Sequence, residues 1–330
     1  MLLGLIKSNR PAGIIFLFFL MILLWFRYFI NPEPHAAVIA MPLYDLLFGT
    51  LQHNPIASGI FSMAIYGLLF ALTIRFNIIH FLLEERTFMP AIFYLMLAAS
   101  YPPALQLNPI LVSTPFLLIA LLLLIRGDEH RADPLALFNA SLVLAAGSLF
   151  FLKILWFIPF LWITATIIRP LKWRGFINPI LVLIMLLLFL ITYYWVFRDN
   201  LALLKTLVYE NLSLSSQKFY QIETPQVIIY GYLLILIIIS SIHMLSRYQF
   251  RKIIIRKLYL VLFILFVYVL LFALFISTYT AELTAFLAIP LAYLFSNYFY
   301  RRKNHWVHEL FIWIWVGILA YTHVASAFAS

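Results

Sequence analysis

Long apolar runs follow one another along most of this 330-residue chain, and short polar stretches separate them. An α-helix needs about 20 mainly apolar residues to cross the hydrocarbon core of a bilayer. The pattern therefore predicts about eleven membrane-spanning helices, with the third to fifth short and closely spaced. The predicted spans are residues 11–30, 57–78, 88–105, 108–126, 135–151, 153–169, 176–197, 226–246, 258–278, 282–300 and 306–326.

The first run is predicted to remain in the mature protein. Its apolar stretch is too long for a cleaved signal peptide, and Asn31-Pro32-Glu33 follows it in place of a small-residue cleavage site.

Composition supports the same class. Hydrophobic residues make up 65% of the chain, charged residues 10%, and the mean hydropathy is +1.03. Soluble domains are about half apolar and a quarter charged, so the chain is predicted to be an all-α, polytopic integral membrane bundle. No Gly/Ser-rich linker divides it, which favours one membrane domain over residues 1–330. Cysteine is absent, which excludes a disulfide framework and a thiolate metal site.

The positive charges predict the orientation of the bundle. Lysine and arginine accumulate on the cytoplasmic side of membrane proteins. With the N-terminus in the cytoplasm, all but five of the 22 lysines and arginines fall at inner ends or loops. The exceptions are Arg27, Lys153, Arg198, Lys205 and Lys218. The net charge of +10 then reflects topology and contact with anionic lipid, so the basic run 247–257 is interpreted as a cytoplasmic anchor and not as a nucleic-acid site.

Two predicted outer loops, residues 31–56 and 199–225, are long enough to build a site above the membrane. Leucines at helical spacing in "PLYDLLFGTL" predict a short interfacial helix in the first loop, and "LALLKTLVYENL" predicts another in the second. Both loops carry acids, namely Glu33, Asp45, Asp199, Glu210 and Glu223. Carboxylates would therefore lie at the outer membrane surface.

An acidic outer loop with an interfacial helix between the first two spans resembles the GT-C superfamily of membrane glycosyltransferases. The stretches "LNPILVSTPFLLIALLLLIR" (107–126) and "ALFNASLVLAAGSLFFLKILWFIPFLWITATIIR" (136–169) look like further superfamily segments. The resemblance covers about residues 10–200, while 201–330 diverge. The chain is also similar to a family of bacterial inner-membrane proteins of this length and pattern, which implies a bacterial inner membrane as its location.

The resemblance implies transfer of a sugar, with mannose as one candidate, from a polyprenyl-phosphate donor to an acceptor on the outer face. Such a reaction needs a carboxylate to accept the proton of the acceptor hydroxyl, and cations to stabilise the departing phosphate. Glu33 matches the position of the catalytic acid of the superfamily, although this chain has "EPH" where many members carry a paired acidic motif. His35 and Asp45 would assist. The expected substrate-binding residues are Arg27, Lys153, Arg198 and Glu282.

Several of these residues also have an ordinary interpretation. Glu33 could be a solvated loop acid, Lys153 could extend its ammonium to the membrane interface, and Arg198 could pair with Asp199. A divalent metal held by Glu33, His35 and Asp45 is compatible with the ligand types, but no tight ligand motif is present. The motif HWVHE at 305–309 is interpreted as an interfacial cluster.

Two other function classes stay open. The chain could be a lipid or glycolipid transporter or flippase, although we find no internal repeat between its halves. It could also be a non-catalytic subunit of an envelope complex, in which case the small residues of "NASLVLAAGS" would be packing sites. Protein partners are not indicated by any pattern.

Overall fold

The computed structural model describes residues 20–22, 24–25, 41–51, 54–80, 82–83, 87–126, 135–168, 173–196, 201–212, 224–275, 283–301 and 305–328. Over these ranges the chain forms α-helices and short 3₁₀ helices, and no strand occurs among the described residues. The predicted all-α fold is therefore confirmed.

Residues 20–22 and 24–25 are helical, and twelve further helices are described in full. They are α1 (Pro42–Phe48), α2 (Pro55–His80), α3 (Met89–Ala99), α4 (Pro109–Arg126), α5 (Ala136–Ser148), α6 (Ile158–Ile168), α7 (Trp173–Val196), α8 (Leu201–Leu212), α9 (Thr224–Ser246), α10 (Ile253–Phe275), α11 (Thr284–Arg301) and α12 (His305–Phe328). The 3₁₀ helices are Pro102–Leu105, Leu152–Phe157 and Tyr248–Phe250.

The helices have the lengths and composition of a membrane bundle. Four of the described segments are long and apolar enough to cross a bilayer, namely Pro55–His80, Gly175–Val196, Gln226–Ser246 and Ile253–Phe275. Shorter apolar helices accompany them. At 1.5 Å per residue, the eleven residues of α3 extend only about 16 Å, roughly half the thickness of the hydrocarbon core. The chain is a helical membrane protein, and the number of its spans stays a prediction.

Asn-Pro pairs start two of the helices. The Asn108 side-chain oxygen accepts a hydrogen bond of 2.6 Å from the backbone N–H of Leu111, and Pro109 is the first residue of α4. Asn54 stands in the same relation to Ala57 at the start of α2, with a bond of 3.3 Å. Proline suits the first helical position because an N–H at that position has no acceptor within the helix. The sequence therefore fixes both helix starts locally.

Helix α3 is the most enclosed helix among those described. All eleven of its residues are buried. It packs along α11, where the Tyr94 hydroxyl donates to the Ala285 carbonyl oxygen at 3.2 Å. The Phe93 ring stacks at 5.1 Å from that of Phe299 and at 5.9 Å from that of Trp315 on α12. A helix that is apolar on every side belongs in the middle of a bundle, and its neighbours cover it here.

Helices α4 and α5 approach closely through small residues. A Cβ added to Gly147 would lie 2.9 Å from the Cβ of Phe116, so only glycine fits there without displacement of a neighbour. Ala140, Ser141 and Ala145 are also buried on α5. The small-residue segment is thus used for packing within the chain, against α4 and α7.

Helix α7 lies at the periphery. Leu187, Leu188 and Phe189 are exposed by 57%, 58% and 56%, whereas Val182 and Leu190 are buried against α5 and α8. Because the exposed residues are as apolar as the buried ones, this helix presents to its surroundings the surface that a lipid-facing span requires.

One cluster of buried apolar side chains extends in sequence from Met21 to Leu319. It includes residues on both sides of position 200, so the described helices before and after this position share a core.

Candidate functional site

Of the seven predicted site residues, two lie in the described part of the chain. Asp45 is on α1, and Lys153 is in the 3₁₀ helix that follows α5. The other five lie outside the described residues, so their places in the fold stay predictions. They are Arg27, Glu33, His35, Arg198 and Glu282.

Helix α1 is held to the bundle by one side. Tyr44 is fully buried, and its hydroxyl donates to the Leu107 carbonyl oxygen at 3.3 Å. Its ring belongs to a small apolar cluster with Val112 of α4 and Phe150. Phe48 extends this contact, because its ring lies 6.4 Å from that of Phe150. The predicted helix in the first outer loop is therefore present, and it rests on the ends of α4 and α5.

Asp45 lies on the other side of α1. Its side chain is exposed, whereas the neighbouring Tyr44 is buried, because successive residues of a helix are about 100° apart. Its backbone N–H donates to the Met41 carbonyl oxygen at 3.0 Å, and its own carbonyl oxygen accepts from the Gly49 N–H at 2.9 Å. The carboxylate is thus presented to the surroundings by a short, docked helix.

Lys153 is buried at the same end of the bundle. It follows Phe150 by three residues, and its side chain is only 4% exposed. The 3₁₀ helix that carries it contacts α5, α6 and α8. The hydroxyl of Tyr268 on α10 donates to the Trp156 carbonyl oxygen, and the Phe157 ring packs at 5.2 Å from that of Phe272. Several helices therefore fix the turn in which this cation lies.

A small apolar cavity opens beside α1. It has a volume of about 90 Å³ and is bounded by Pro42, Leu43 and Leu46 on one side and by Leu149 and the C-terminal half of α7 on the other. Its walls include Leu46 and Phe189, which are exposed by 66% and 56%. The cavity therefore borders the apolar surface of the bundle at the end where Asp45 and Lys153 lie.

The described residues show no metal centre. No group of three or more histidines, aspartates or glutamates lies close enough together among them to hold an ion. The proposed ligands Glu33 and His35 are outside this part of the chain, so the metal prediction is untested. His308 of the HWVHE motif is buried, and its ring lies 5.0 Å from that of Tyr298 and 5.4 Å from that of Phe299. Its interfacial position stays a prediction.

Comparison with protein-family models, with curated proteins and with solved structures found no match.

The sequence patterns did not single out Arg251. The residue was counted as one of several cytoplasmic cations, yet its side chain is 9% exposed and forms a hydrogen bond with Asn297. Asn297 lies 46 residues further along the chain, and no local signal in "RYQFRKIIIRK" distinguishes Arg251 from its neighbours.

Proposed function

We propose that this protein is a membrane glycosyltransferase that moves a sugar from a polyprenyl-phosphate donor to an acceptor hydroxyl at the outer membrane face. One observation supports the proposal more than any other. The packing of α1 on α4 and α5 brings an exposed carboxylate, Asp45, and a buried cation, Lys153, to the same end of the bundle. A surface acid and a cation near the lipid boundary are two groups that this reaction requires.

In the proposed reaction, the acceptor hydroxyl attacks the anomeric carbon of the donor sugar. A new carbon–oxygen bond forms while the bond from that carbon to the phosphate oxygen breaks. Glu33 accepts the hydroxyl proton as general base, with Asp45 and His35 assisting. The leaving polyprenyl phosphate keeps the electron pair, and Arg27, Lys153 and Arg198 stabilise its negative charge. Glu282 contributes to substrate binding.

The lipid part of the donor needs an approach from the membrane. The apolar cavity between α1 and α7 supports such an approach, because it borders exposed apolar side chains. Its volume of about 90 Å³ is small for a polyprenyl chain, so the cavity would take only the part of the chain nearest the phosphate.

The decisive assay measures transfer of labelled sugar by the full chain in proteoliposomes supplied with polyprenyl-phosphate sugars. Glu33→Gln should lower transfer by about 10²- to 10⁴-fold, the usual contribution of a general base, while the circular dichroism spectrum stays helical. Glu210→Gln, which changes an acid of the second outer loop, is the matched control and should leave transfer near the wild-type rate.

Two further variants separate the roles. Lys153→Met should reduce transfer because it removes a cation from the leaving group, and Lys153→Arg should retain part of the activity. Unchanged transfer in Glu33→Gln would remove Glu33 from the mechanism and leave Asp45→Asn as the next variant to measure. Failure of the wild-type protein to bind any polyprenyl-phosphate sugar would reject the enzyme class in favour of a transporter or a subunit of an envelope complex.

A further inference from the structure

An apolar cavity of about 360 Å³ lies between α9, α10 and α11. Ser241 and Leu245 of α9, Tyr259 and Phe263 of α10 and Pro290 of α11 are among the residues that line it. Leu245 and Phe263 are exposed by 66% and 50%, so the cavity borders the exposed surface of the bundle. Its volume is that of a ligand pocket, and its walls suit a hydrocarbon chain.

Arg251 lies at one end of this cavity. The guanidinium carbon is 4.6 Å from the centroid of the Tyr259 ring, and this ring forms part of the cavity wall. Tyr248, three residues before Arg251, also lines the cavity. The arginine is 9% exposed, so its charge is largely removed from water. A cation in that position is stabilised by the face of the aromatic ring and by polar partners.

The hydrogen bonds of Arg251 and Asn297 are incomplete. A guanidinium N–H of Arg251 donates to the side-chain oxygen of Asn297. Within the described part of the chain, the Nε of Arg251 and the amide nitrogen of Asn297 have no hydrogen-bond partner. Buried donors normally have acceptors, and an acceptor from outside the protein would satisfy these two.

The charge of the segment that carries Arg251 favours an anionic acceptor. The run 247–257 contains Arg247, Lys252, Arg256 and Lys257 besides Arg251, and no acid. Lys257 donates to the Ile168 carbonyl oxygen at 2.9 Å, which ties the run to the end of α6. An anionic group with several oxygens satisfies both the free donors and the excess positive charge.

We propose that the cavity between α9, α10 and α11 binds an acyl chain of an anionic phospholipid from the surrounding bilayer, with the phosphate at Arg251 and Asn297. Basic pockets between membrane helices recognise lipid head groups in this way. Arg251 precedes the first residue of α10, whereas Tyr268, which contacts Trp156, lies in the C-terminal half of that helix, so the proposed phosphate position is separate from the proposed transfer site.

The test uses the full chain in nanodiscs of phosphatidylcholine that contain a trace of a photoreactive phospholipid with a diazirine on one acyl chain. The probe carries either a phosphatidylglycerol or a phosphatidylcholine head group. After irradiation, peptide mapping should find labelled residues on the cavity walls of α9, α10 and α11, with labelling about fivefold stronger for the anionic probe. Equal labelling by both head groups would overturn the proposal, since it would show that the acyl chain alone is recognised.

Two pairs of variants assign the contacts. Arg251→Gln should lower anionic labelling of the cavity about fivefold, whereas Arg247→Gln, which changes an exposed arginine of the same run, should lower it less than about twofold. Ser241→Phe should fill the cavity and abolish labelling without changing Arg251. Ser246→Phe adds the same bulk to the next turn of α9, outside the cavity walls, and should have little effect.

The Ser241 pair keeps the proposal falsifiable if Arg251→Gln does not fold. Unchanged labelling in Ser241→Phe would overturn the assigned cavity. Competition with unlabelled polyprenyl phosphate identifies the occupant: displacement by unlabelled phosphatidylglycerol but not by equimolar polyprenyl phosphate supports the proposal. Preferential displacement by polyprenyl phosphate would overturn it, because the site would then belong to a polyprenyl lipid. Loss of sugar transfer in Glu33→Gln does not affect this result.

Discussion

Lys153 is a buried cation in apolar surroundings. Its neighbours Leu152, Ile154 and Phe157 are buried as well. Such a residue in a membrane protein is retained more readily for binding or catalysis than for stability. The proposed contact with a phosphate gives this cation a chemical role. Snorkelling to the membrane interface does not fit, because a side chain that reached the interface would be exposed.

The Asn108 side chain should contribute to stability through its hydrogen bond at the start of α4. Asn108→Ala should lower the free energy of unfolding by about 1–2 kcal/mol, because the buried N–H of Leu111 loses its acceptor at the start of α4. Asn54→Ala is the matched control, since its bond is longer and exposed, and it should cost less, roughly 0.5 kcal/mol. Unfolding in mixed micelles with increasing dodecyl sulfate measures both. Equal costs would show that burial of the cap is not the deciding factor.

At the scale of elements, the contact between α4 and α5 depends on one glycine. Gly147→Ala should destabilise the protein by roughly 1–3 kcal/mol, because the added methyl group would lie 2.9 Å from the Cβ of Phe116. A Cβ is attached directly to the backbone, so relief of this contact requires the helices to shift. The contact also supports α1, since the Phe116 ring lies 5.6 Å from that of Phe150. The same variant should therefore increase hydrogen exchange over residues 42–48.

Gly231 provides the control for this substitution. A Cβ at Gly231 would have no neighbour within 4 Å, so Gly231→Ala should be neutral or stabilising by about 0.5–1 kcal/mol through the helix propensity of alanine. Destabilisation of the same size by both variants would argue that a general effect on the helices, and not the approach of α4 to α5, explains the result.

For the whole molecule, the charge pattern predicts which ends of the helices face each side of the membrane. The cysteine-free sequence allows single-cysteine labelling without background. Tyr209→Cys, on α8 and 75% exposed, should react with an impermeant maleimide added to the outside of intact cells, if the charge pattern sets the orientation. Phe250→Cys, 90% exposed in the basic run, should react only after the membrane is opened. Reaction of both from the outside would contradict the predicted topology.

Several features of the fold could be predicted because their causes are local. Apolar runs of spanning length predicted the helices, and leucines at helical spacing in "PLYDLLFGTL" predicted α1. The side chains that hold α1 to the bundle are Tyr44 and Phe48, however, while Leu46 and Leu47 are exposed. The Asn-Pro pairs set helix starts through contacts three residues apart. Helix α3 was predicted as a span of 88–105, but it ends at Ala99 and a 3₁₀ helix follows, with two prolines at 102 and 103. Length along the sequence did not reveal this break.

For the candidate site, the sequence predicted the residue types and the membrane side, while the structure showed that Asp45 and Lys153 lie at the same end of the bundle. Nothing near Asp45 in sequence indicates that its helix rests on Phe150, close to Lys153. The reason is that the contact joins segments about 100 residues apart, and its geometry depends on how α4 and α5 pack.

The sequence alone determined that this is a helical membrane protein. The free energy of inserting a segment into lipid depends on which side chains it contains and on the length of its apolar run, and both can be taken from the sequence. The sequence also determined where α2 and α4 begin, through their Asn-Pro pairs. Only the tertiary structure decided which polar residues are buried together. Arg251 beside Asn297 and Tyr259 is the clearest case: five cations in one short run are equivalent in sequence, and the packing of α9, α10 and α11 encloses one of them at the end of an apolar cavity.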